Sequence, residues 1–401
     1  MTRPSTSTTE EVRRHNLGGV LRLLHVHGVM SRAELTIRTG LNRSTVKALA
    51  SELTDLGLVR EWTPVGSGAA GRPSIMVAPS EDVFVLAVDI GVDHLRAARI
   101  GLGGVVLDRA DTTDDRTAYD LEQTVGHIAA MVQQLLAVAP CGARCVGVGV
   151  AVCGLVSAET GVVRFAPNLG WVDVPLTALL SAELGGIPAL VGNEADLGAL
   201  AEHLRGAGAG TSDLIYLSGE AGIGGGVIAG GRPLGGADGY GGEVGHTIVN
   251  PNGVMCRCGR RGCWETEVGE DAVLRATGYA PGTPFATVLT AYAAGDARVA
   301  RGMETIGHWL GAGVADLVNI FNPQMVIFGG ITQHLFKMAE ADVRASVAAA
   351  LVAPREHVTL AVPGLGLDSE MLGAAELAFG SLLRNPLAAE PAGVVVGRRS
   401  R

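Results

Sequence analysis

Three cysteines fall within eight residues, in Cys256-Arg-Cys258-Gly-Arg-Arg-Gly-Cys263, and no other feature restricts the folding of this chain as tightly. In a reducing compartment such a cluster is metal-binding rather than disulfide-bonded. Gly259 and Gly262 let the loop curl until the three sulfurs converge. His246, ten residues before Cys256, offers a fourth ligand. A closed Cys3His tetrahedron is a structural zinc site with no open position for a reacting water. Zinc, held by His246, Cys256, Cys258 and Cys263, is therefore the predicted cofactor; three free thiols in a glycine-rich loop are the competing reading. Cys141, Cys145 and Cys153 lie in or beside an apolar stretch and are predicted to be small buried hydrophobes.

The 401 residues are too many for one compact core, so two or three domains are expected. Aromatic residues make up 4% and charged residues 18%, against 58 glycines. That excludes a coiled coil, a collagen-like chain and a charge-rich disordered protein, and favours a Gly- and Ala-rich α/β protein with tight turns. No apolar run approaches the ~20 residues that span a bilayer. The first nine residues lack the apolar core of a secretory signal. A soluble, cytoplasmic protein with no membrane partner is expected. The net charge of −9 is uneven: residues 1–80 carry 10 Lys+Arg against 6 Asp+Glu, and the remainder 21 against 34. A polyanionic partner is thus expected only at the first part.

Residues 1–80 read as three helices and a hairpin. Leu17, Val20, Leu21 and Leu24 recur at helical spacing, and Gly28 stops that helix. Ser31-Arg-Ala-Glu34 is a capping box opening a second helix that Gly40 ends. Asn42 caps a third, with Val46, Leu49, Ala50 and Leu53 inward and Gly57 behind. Strands over 58–62 and 74–78 flank a loop containing Arg72. This order predicts a winged helix-turn-helix. Arg43, Ser44, Thr45 and Lys47 would face bases and phosphates in the major groove, and Arg72 at the wing tip would enter the minor groove. The same elements would also serve a packing or dimerisation module; the basic first turn and Arg72 favour double-stranded DNA. Helix-turn-helix readers bind paired half-sites, so a homodimer or homotetramer is expected. His15, His25 and His27 read as surface or packing histidines.

From residue 81 strands and helices alternate, and the pattern restarts near Asp213. The body reads as an internally duplicated α/β unit with a cleft between a first lobe, 81–195, and a second, 196–385, that carries the cysteine loop. Ligands of such folds bind at the carboxyl ends of strands. Helices are expected over about 297–320, 333–350 and 369–384. The Ala-, Pro- and Gly-rich tail 386–401 is expected to be disordered.

Gly-Ile-Gly-Gly-Gly226, Gly241-Gly-Glu-Val-Gly-His246 and Cys-x-Cys-Gly-x-x-Gly-Cys-Trp-Glu265 together resemble the ROK family of repressors and sugar kinases over essentially residues 11–385. With its N-terminal helices, the chain resembles the repressor branch, which includes xylose and N-acetylglucosamine repressors. The resemblance implies an actin-like, sugar-kinase-like body. It implies sugar contacts at Asn193, Glu243, His246 and Glu265, with Asn168 and Trp171 closing the other side of the cleft. It would have His246 ligate zinc through one nitrogen and face sugar with the other. Asp196 either orients this site or decorates a helix N-terminus.

The chain departs from the family's kinases in two places. Asn193-Glu194 stands where they carry Asn-Asp, lengthening the catalytic base by a methylene. At the first phosphate loop Asp89-Ile-Gly91 is followed by Val92-Asp93-His94, without the second glycine and the hydroxyl, and Asp93 is expected to repel phosphate. Gly222–Gly226 and Gly329-Gly330 stay compatible with a nucleotide. The expected protein is thus a sugar-responsive DNA-binding regulator and not an enzyme, its effector a small-molecule sugar. The alternatives are an ATP-dependent hexose kinase with an accessory DNA-binding domain and a ligand-independent DNA-binding regulator.

Overall fold

The N-terminal elements form where their caps and apolar stripes place them. The computed structural model describes residues 9–64, 74–111, 119–351, 356–389 and 394–397. Its first helix is Thr9–His27, with Leu17, Val20, Leu21 and Leu24 buried. Gly28 ends it at φ 75°, a conformation that strains any side chain. Ser31 and Glu34 make the reciprocal cap of Arg32–Thr39, and the Asn42 side chain accepts the Thr45 N–H at the head of Arg43–Asp55. Val46, Leu49, Ala50 and Leu53 line that helix's buried face. Val59–Trp62 and Met76–Pro79 pair as a hairpin, and Met30–Ser31 joins as a third strand. Two residues are too few to show a period in sequence. The wing loop with Arg72 lies outside the described residues.

Two sheets of the same design follow. In the first, Val83–Ile90, Leu95–Gly101 and Val106–Asp111 form an antiparallel meander; Arg144–Val152 and then Ala189–Asn193 lie parallel to its first strand. In the second, Leu214–Gly219, Ile223–Ala229 and Arg232–Pro233 form the meander; Met325–Phe328 and Thr359–Ala361 are the parallel strands. The repeated order is the duplication expected from the sequence.

Two helices, Glu194–Arg205 and Ser369–Arg384, lie between the sheets, and glycine sets each contact. A Cβ on Gly149 of the first sheet would sit 1.8 Å from the Ala374 carbonyl oxygen. One on Gly373 would meet the Leu197 carbonyl oxygen at 2.0 Å, and one on Gly226 of the second sheet the Ala195 carbonyl oxygen at 2.1 Å. The layers are therefore first sheet, Ser369–Arg384, Glu194–Arg205, second sheet. The N-terminal unit docks on the same stack. Leu17, Leu21 and Val77 share one buried cluster with Val83, Met371, Phe379 and Leu383.

Several expectations change. Ser369–Arg384, assigned by sequence to the second lobe, packs on the first sheet, because Gly149 admits its backbone. The stretch 333–350 is two helices, Ile331–Met338 and Glu340–Val347, broken at Ala339. The described part of the 386–401 tail is ordered: Pro386–Ala389 is a 3-10 turn and Val394–Val395 pairs with Cys145 and Arg144. Leu387 and Val396 pack on the neighbouring cores, which compositional bias hides. Cys145 and Cys153 are buried as expected, but Cys141 is exposed. Among the described residues no helix is long and apolar enough to cross a membrane.

Gly149→Ala should cost about 1–3 kcal/mol, as overpacking does, and lower the calorimetric unfolding midpoint. Gly19→Ala, where a Cβ meets nothing within 4 Å, should leave the midpoint unchanged or raise it.

Candidate functional site

The cysteine loop closes as its glycines require. Gly259 and Gly262 take φ 87° and 72°, and a Cβ on Gly262 would strike the Asn250 carbonyl oxygen. One ligand atom each from His246, Cys256, Cys258 and Cys263 lies within 4.8 Å of the other three. Cys258 Sγ is 3.6 Å from Cys263 Sγ, and Cys256 Sγ is 3.7 Å from His246 Nδ1. A tetrahedron built on metal–sulfur bonds of ~2.3 Å has edges of about 3.8 Å, so the four groups fit a metal ion. His246 turns Nδ1 to the thiols and Nε2 to Glu243 Oε2, 3.8 Å away.

Beside the loop the structure gathers Glu243, His246 and Glu265. Glu265 Oε1 is 3.6 Å from His246 Nδ1 and accepts the Cys256 thiol at 2.9 Å. Asp196 joins them. Burial, then the Glu243 charge, pushes its carboxyl up to about 7. Burial also raises Glu243, against the pull of His246. These groups can accept hydrogen bonds from paired hydroxyls.

Asn193 has a backbone role that its sequence did not show. Its Oδ1 caps Glu194–Arg205 by accepting the Ala195 and Asp196 N–H groups at 2.8 and 3.1 Å, and its Nδ2 donates to the Gly154 carbonyl at 2.9 Å. One Nδ2 hydrogen is left for another partner. Asn168 is exposed and accepts a hydrogen bond from Arg257 of the cysteine loop. Trp171 packs in the first-lobe core instead of closing the cleft. No sequence signal marked Arg257, an unremarkable arginine until the fold brings Asn168 to it.

The first phosphate loop is filled from within. A Cβ on Gly91 would sit 2.1 Å from the His94 ring. His94 Nε2 bonds Asp89 Oδ2 and its Nδ1 bonds Asp93 Oδ1, both at 3.0 Å. Arg96 also donates to Asp89, at 2.7 Å. Glu220 reaches across from the second lobe and accepts the Val92 N–H at 3.1 Å, as an anion would. Asp93, its side chain 81% exposed, is paired with His94, whose hydrogen bond holds its carboxyl below the usual range. Burial lowers the His94 pKa, but the hydrogen bonds and charges of Asp89, Asp93 and Glu220 win and raise it to about 10. Around it stand Glu194 and Glu370. Burial and then neighbouring carboxylates push Glu194 well above the carboxylate range and Glu370 to about 7. Tyr216 donates to Glu370 at 2.6 Å.

Both interlayer helices run from this floor to the N-terminal unit. Arg205, about 17 Å along its helix from Glu194 at 1.5 Å per residue, donates to Glu376 at 2.8 Å and to the His25 carbonyl oxygen at 2.9 Å. Glu376, six residues beyond Glu370, takes His25 Nε2 at 3.0 Å. The Gly103 N–H donates to His25 Nδ1 at 3.0 Å, so Nε2 carries the proton given to Glu376. The backbones close nearby: a Cβ on Gly18 would meet the Leu383 carbonyl oxygen at 2.7 Å. His25 is a fully buried joint, beyond the packing role its sequence suggests. On the outer side of the N-terminal unit Arg43, Ser44 and Lys47 are exposed and Thr45 is half-buried. The Ser44 hydroxyl donates to Asn42 Oδ1 at 2.6 Å, which leaves it an acceptor.

A duplicated two-lobed α/β body of this kind has the sugar-kinase-like fold. The chain belongs to the ROK family, whose sequence model matches residues 85–380. It is 31% identical to the xylose repressor of Caldicellulosiruptor bescii over 77% of this chain and 81% of that one. The crystal structure of a ROK family transcriptional regulator, a homologue of the Escherichia coli Mlc protein, superposes with a TM-score of 0.77 at 25% identity over 93% of this chain and 97% of that one. A ROK glucokinase of Streptomyces griseus, solved with glucose and AMPPNP, gives 0.66 at 28% identity, over 74% of this chain and 99% of that one.

Folding raises the His94 pKa to about 10 from ~6.5. Its contribution to stability is full below about pH 6.5 and is lost as the pH rises through about 10. Unfolding midpoints measured across this window should fall faster for wild type than for His94→Gln, and the gap between the two should narrow towards pH 10.

Proposed function

We propose that the protein is a sugar-responsive, DNA-binding transcriptional repressor whose kinase-like body binds a sugar without phosphorylating it. The observation that carries this reading is the pair of helices with one end on the cleft floor and the other on His25. A ligand that shifts the lobes must move Glu194 or Glu370, and these ride on the bodies that hold the N-terminal unit through Arg205 and Glu376. A switch needs the sugar to prefer one arrangement.

The N-terminal unit is read as a winged helix-turn-helix. Arg43, Ser44, Thr45 and Lys47 face DNA from the first turn of Arg43–Asp55, with Arg72 on the wing. Two copies in a homodimer or homotetramer would grip paired half-sites. Glu243, His246, Glu265 and Asn193 would hold the sugar hydroxyls, with Asp196 beside them and Asn168 on the opposite lobe. Zinc at His246, Cys256, Cys258 and Cys263 would fix the loop and aim His246 Nε2 at Glu243. The similarity to repressors over nearly the whole chain supports the regulatory reading.

The similarity to a glucokinase and the carboxyl of Glu194 favour one alternative, an ATP-dependent hexose kinase. Against it stands the first phosphate loop, filled by His94 and Glu220. ADP release in the presence of ATP and sugar should stay at background; turnover abolished by Glu194→Gln would establish the kinase.

The direct test uses DNA that the protein itself selects from a random pool, with pentoses, hexoses and N-acetylhexosamines tried with and without phosphate. One sugar should weaken DNA binding, and Glu243→Ala or Glu265→Ala should lower sugar affinity about 10–100-fold, the worth of a hydrogen bond to a charged group. DNA affinity indifferent to every sugar would leave a ligand-independent regulator. Lys47→Ala should weaken binding to all sequences alike and lower the salt dependence by about one phosphate contact. Cys258→Ser should remove one zinc per chain and lower the unfolding midpoint.

A further inference from the structure

We propose that Cys153, Glu194 and Glu220 form a second metal site, for a divalent transition cation, that joins the two lobes at the floor of the cleft. The proposal does not depend on the sugar reading. Each residue follows directly on a strand: Cys153 on Arg144–Val152, Glu194 on Ala189–Asn193 and Glu220 on Leu214–Gly219. The first two strands belong to one sheet and the third to the other. One ligand atom from each lies within 4.8 Å of the other two. Tetrahedral edges are about 3.3–3.8 Å for such ligands, a gap that side-chain rotation of the two glutamates closes.

Glu194 supplies the independent sign. It is nine-tenths buried, and among the described residues no hydrogen bond or ion pair holds its carboxyl. As an anion such a carboxyl is costly to bury without a partner. The nearby cations do not serve it: His94 is bound to Asp89 and Asp93, and Arg96 to Asp89. Glu194, Glu220 and Glu370 share one neighbourhood, where His94, 3.8 Å from Glu220 and already bound to Asp89 and Asp93, is outnumbered by carboxyls. A divalent cation supplies positive charge at the point where two of those carboxyls meet a thiol.

The ligand set also selects the ion. A thiolate beside two carboxylates disfavours magnesium and calcium and suits zinc or its transition-metal neighbours. Binding would release the Cys153 proton, and any proton on the glutamates, to solvent. Three protein ligands leave a coordination position for water or a ligand hydroxyl, unlike the closed Cys3His loop. The cation would bridge the lobes where Glu220 already takes the Val92 N–H.

The test is metal content of the full-length chain, stripped with chelator and brought to equilibrium dialysis against micromolar zinc. Wild type should hold two zinc ions per chain. Cys153→Ala and the isosteric Glu220→Gln, on different lobes, should each hold one; Cys258→Ser should also hold one, retained at the new site. With cobalt, the sulfur-to-metal charge-transfer band of the Cys258→Ser chain should disappear when Cys153→Ala is added. One zinc in wild type, with none in Cys258→Ser, means that protons alone neutralise the carboxyls and overturns the proposal. Two zinc ions in Cys153→Ala would overturn it as well.

Discussion

The approach of two backbones at Gly373 governs this molecule. With no Cβ there, Ser369–Arg384 settles against the Leu197 carbonyl of the neighbouring helix, and each helix then rests on a sheet through another glycine, Gly149 or Gly226. Close-packed interiors of this kind do not deform smoothly; they move as bodies. Opening or closing the lobes therefore means moving two stiff helices relative to one another. Their far ends are fixed to the N-terminal unit by a buried His25, Glu376 and Arg205 cluster. Such a cluster is weak evidence for stability, because desolvation offsets the attraction. Its geometry is stringent, however, and fixes how the unit is oriented on the body.

Charge divides the cleft into two districts. By the cysteine loop, Glu243, His246, Glu265 and Asp196 form an acceptor-rich pocket beside a cluster of metal-ligand type. On the floor, His94 and Glu220 occupy the loop that would cradle phosphate, and Glu194 and Glu370 crowd behind them. The first district is suited to recognising hydroxyls. In the second, carboxyls crowd behind a turn occupied by its own side chains. The two districts together underlie the proposed recognition of a sugar without phosphoryl transfer.

Local signals made much of this legible in sequence. The Ser31–Glu34 capping box, the Asn42 cap and the apolar stripes located the first three helices, since each acts within a few residues. The cysteine spacing marked the metal-ligand cluster, because four strong ligand residues so close together leave few alternatives. What escaped depended on distant pairing. The role of Asn193 as a helix cap shows only once the turn is built. Sequence showed the Asp93 charge at this turn but not the His94 ring that folds inward beside it. Glu220, Glu370 and Arg257 are ordinary surface-type residues in sequence, and Ser369–Arg384 crosses to the first lobe for a glycine more than two hundred residues away.

The central claim is that the sugar and the DNA act on one shared arrangement of the two helices. Thermodynamic reciprocity tests it most directly. Sugar affinity should be measured by calorimetry on the free protein and on the protein saturated with its selected DNA. The sugar dissociation constant should rise on the DNA complex by the same factor by which saturating sugar weakens DNA binding. Equal sugar affinity with and without DNA would contradict the account.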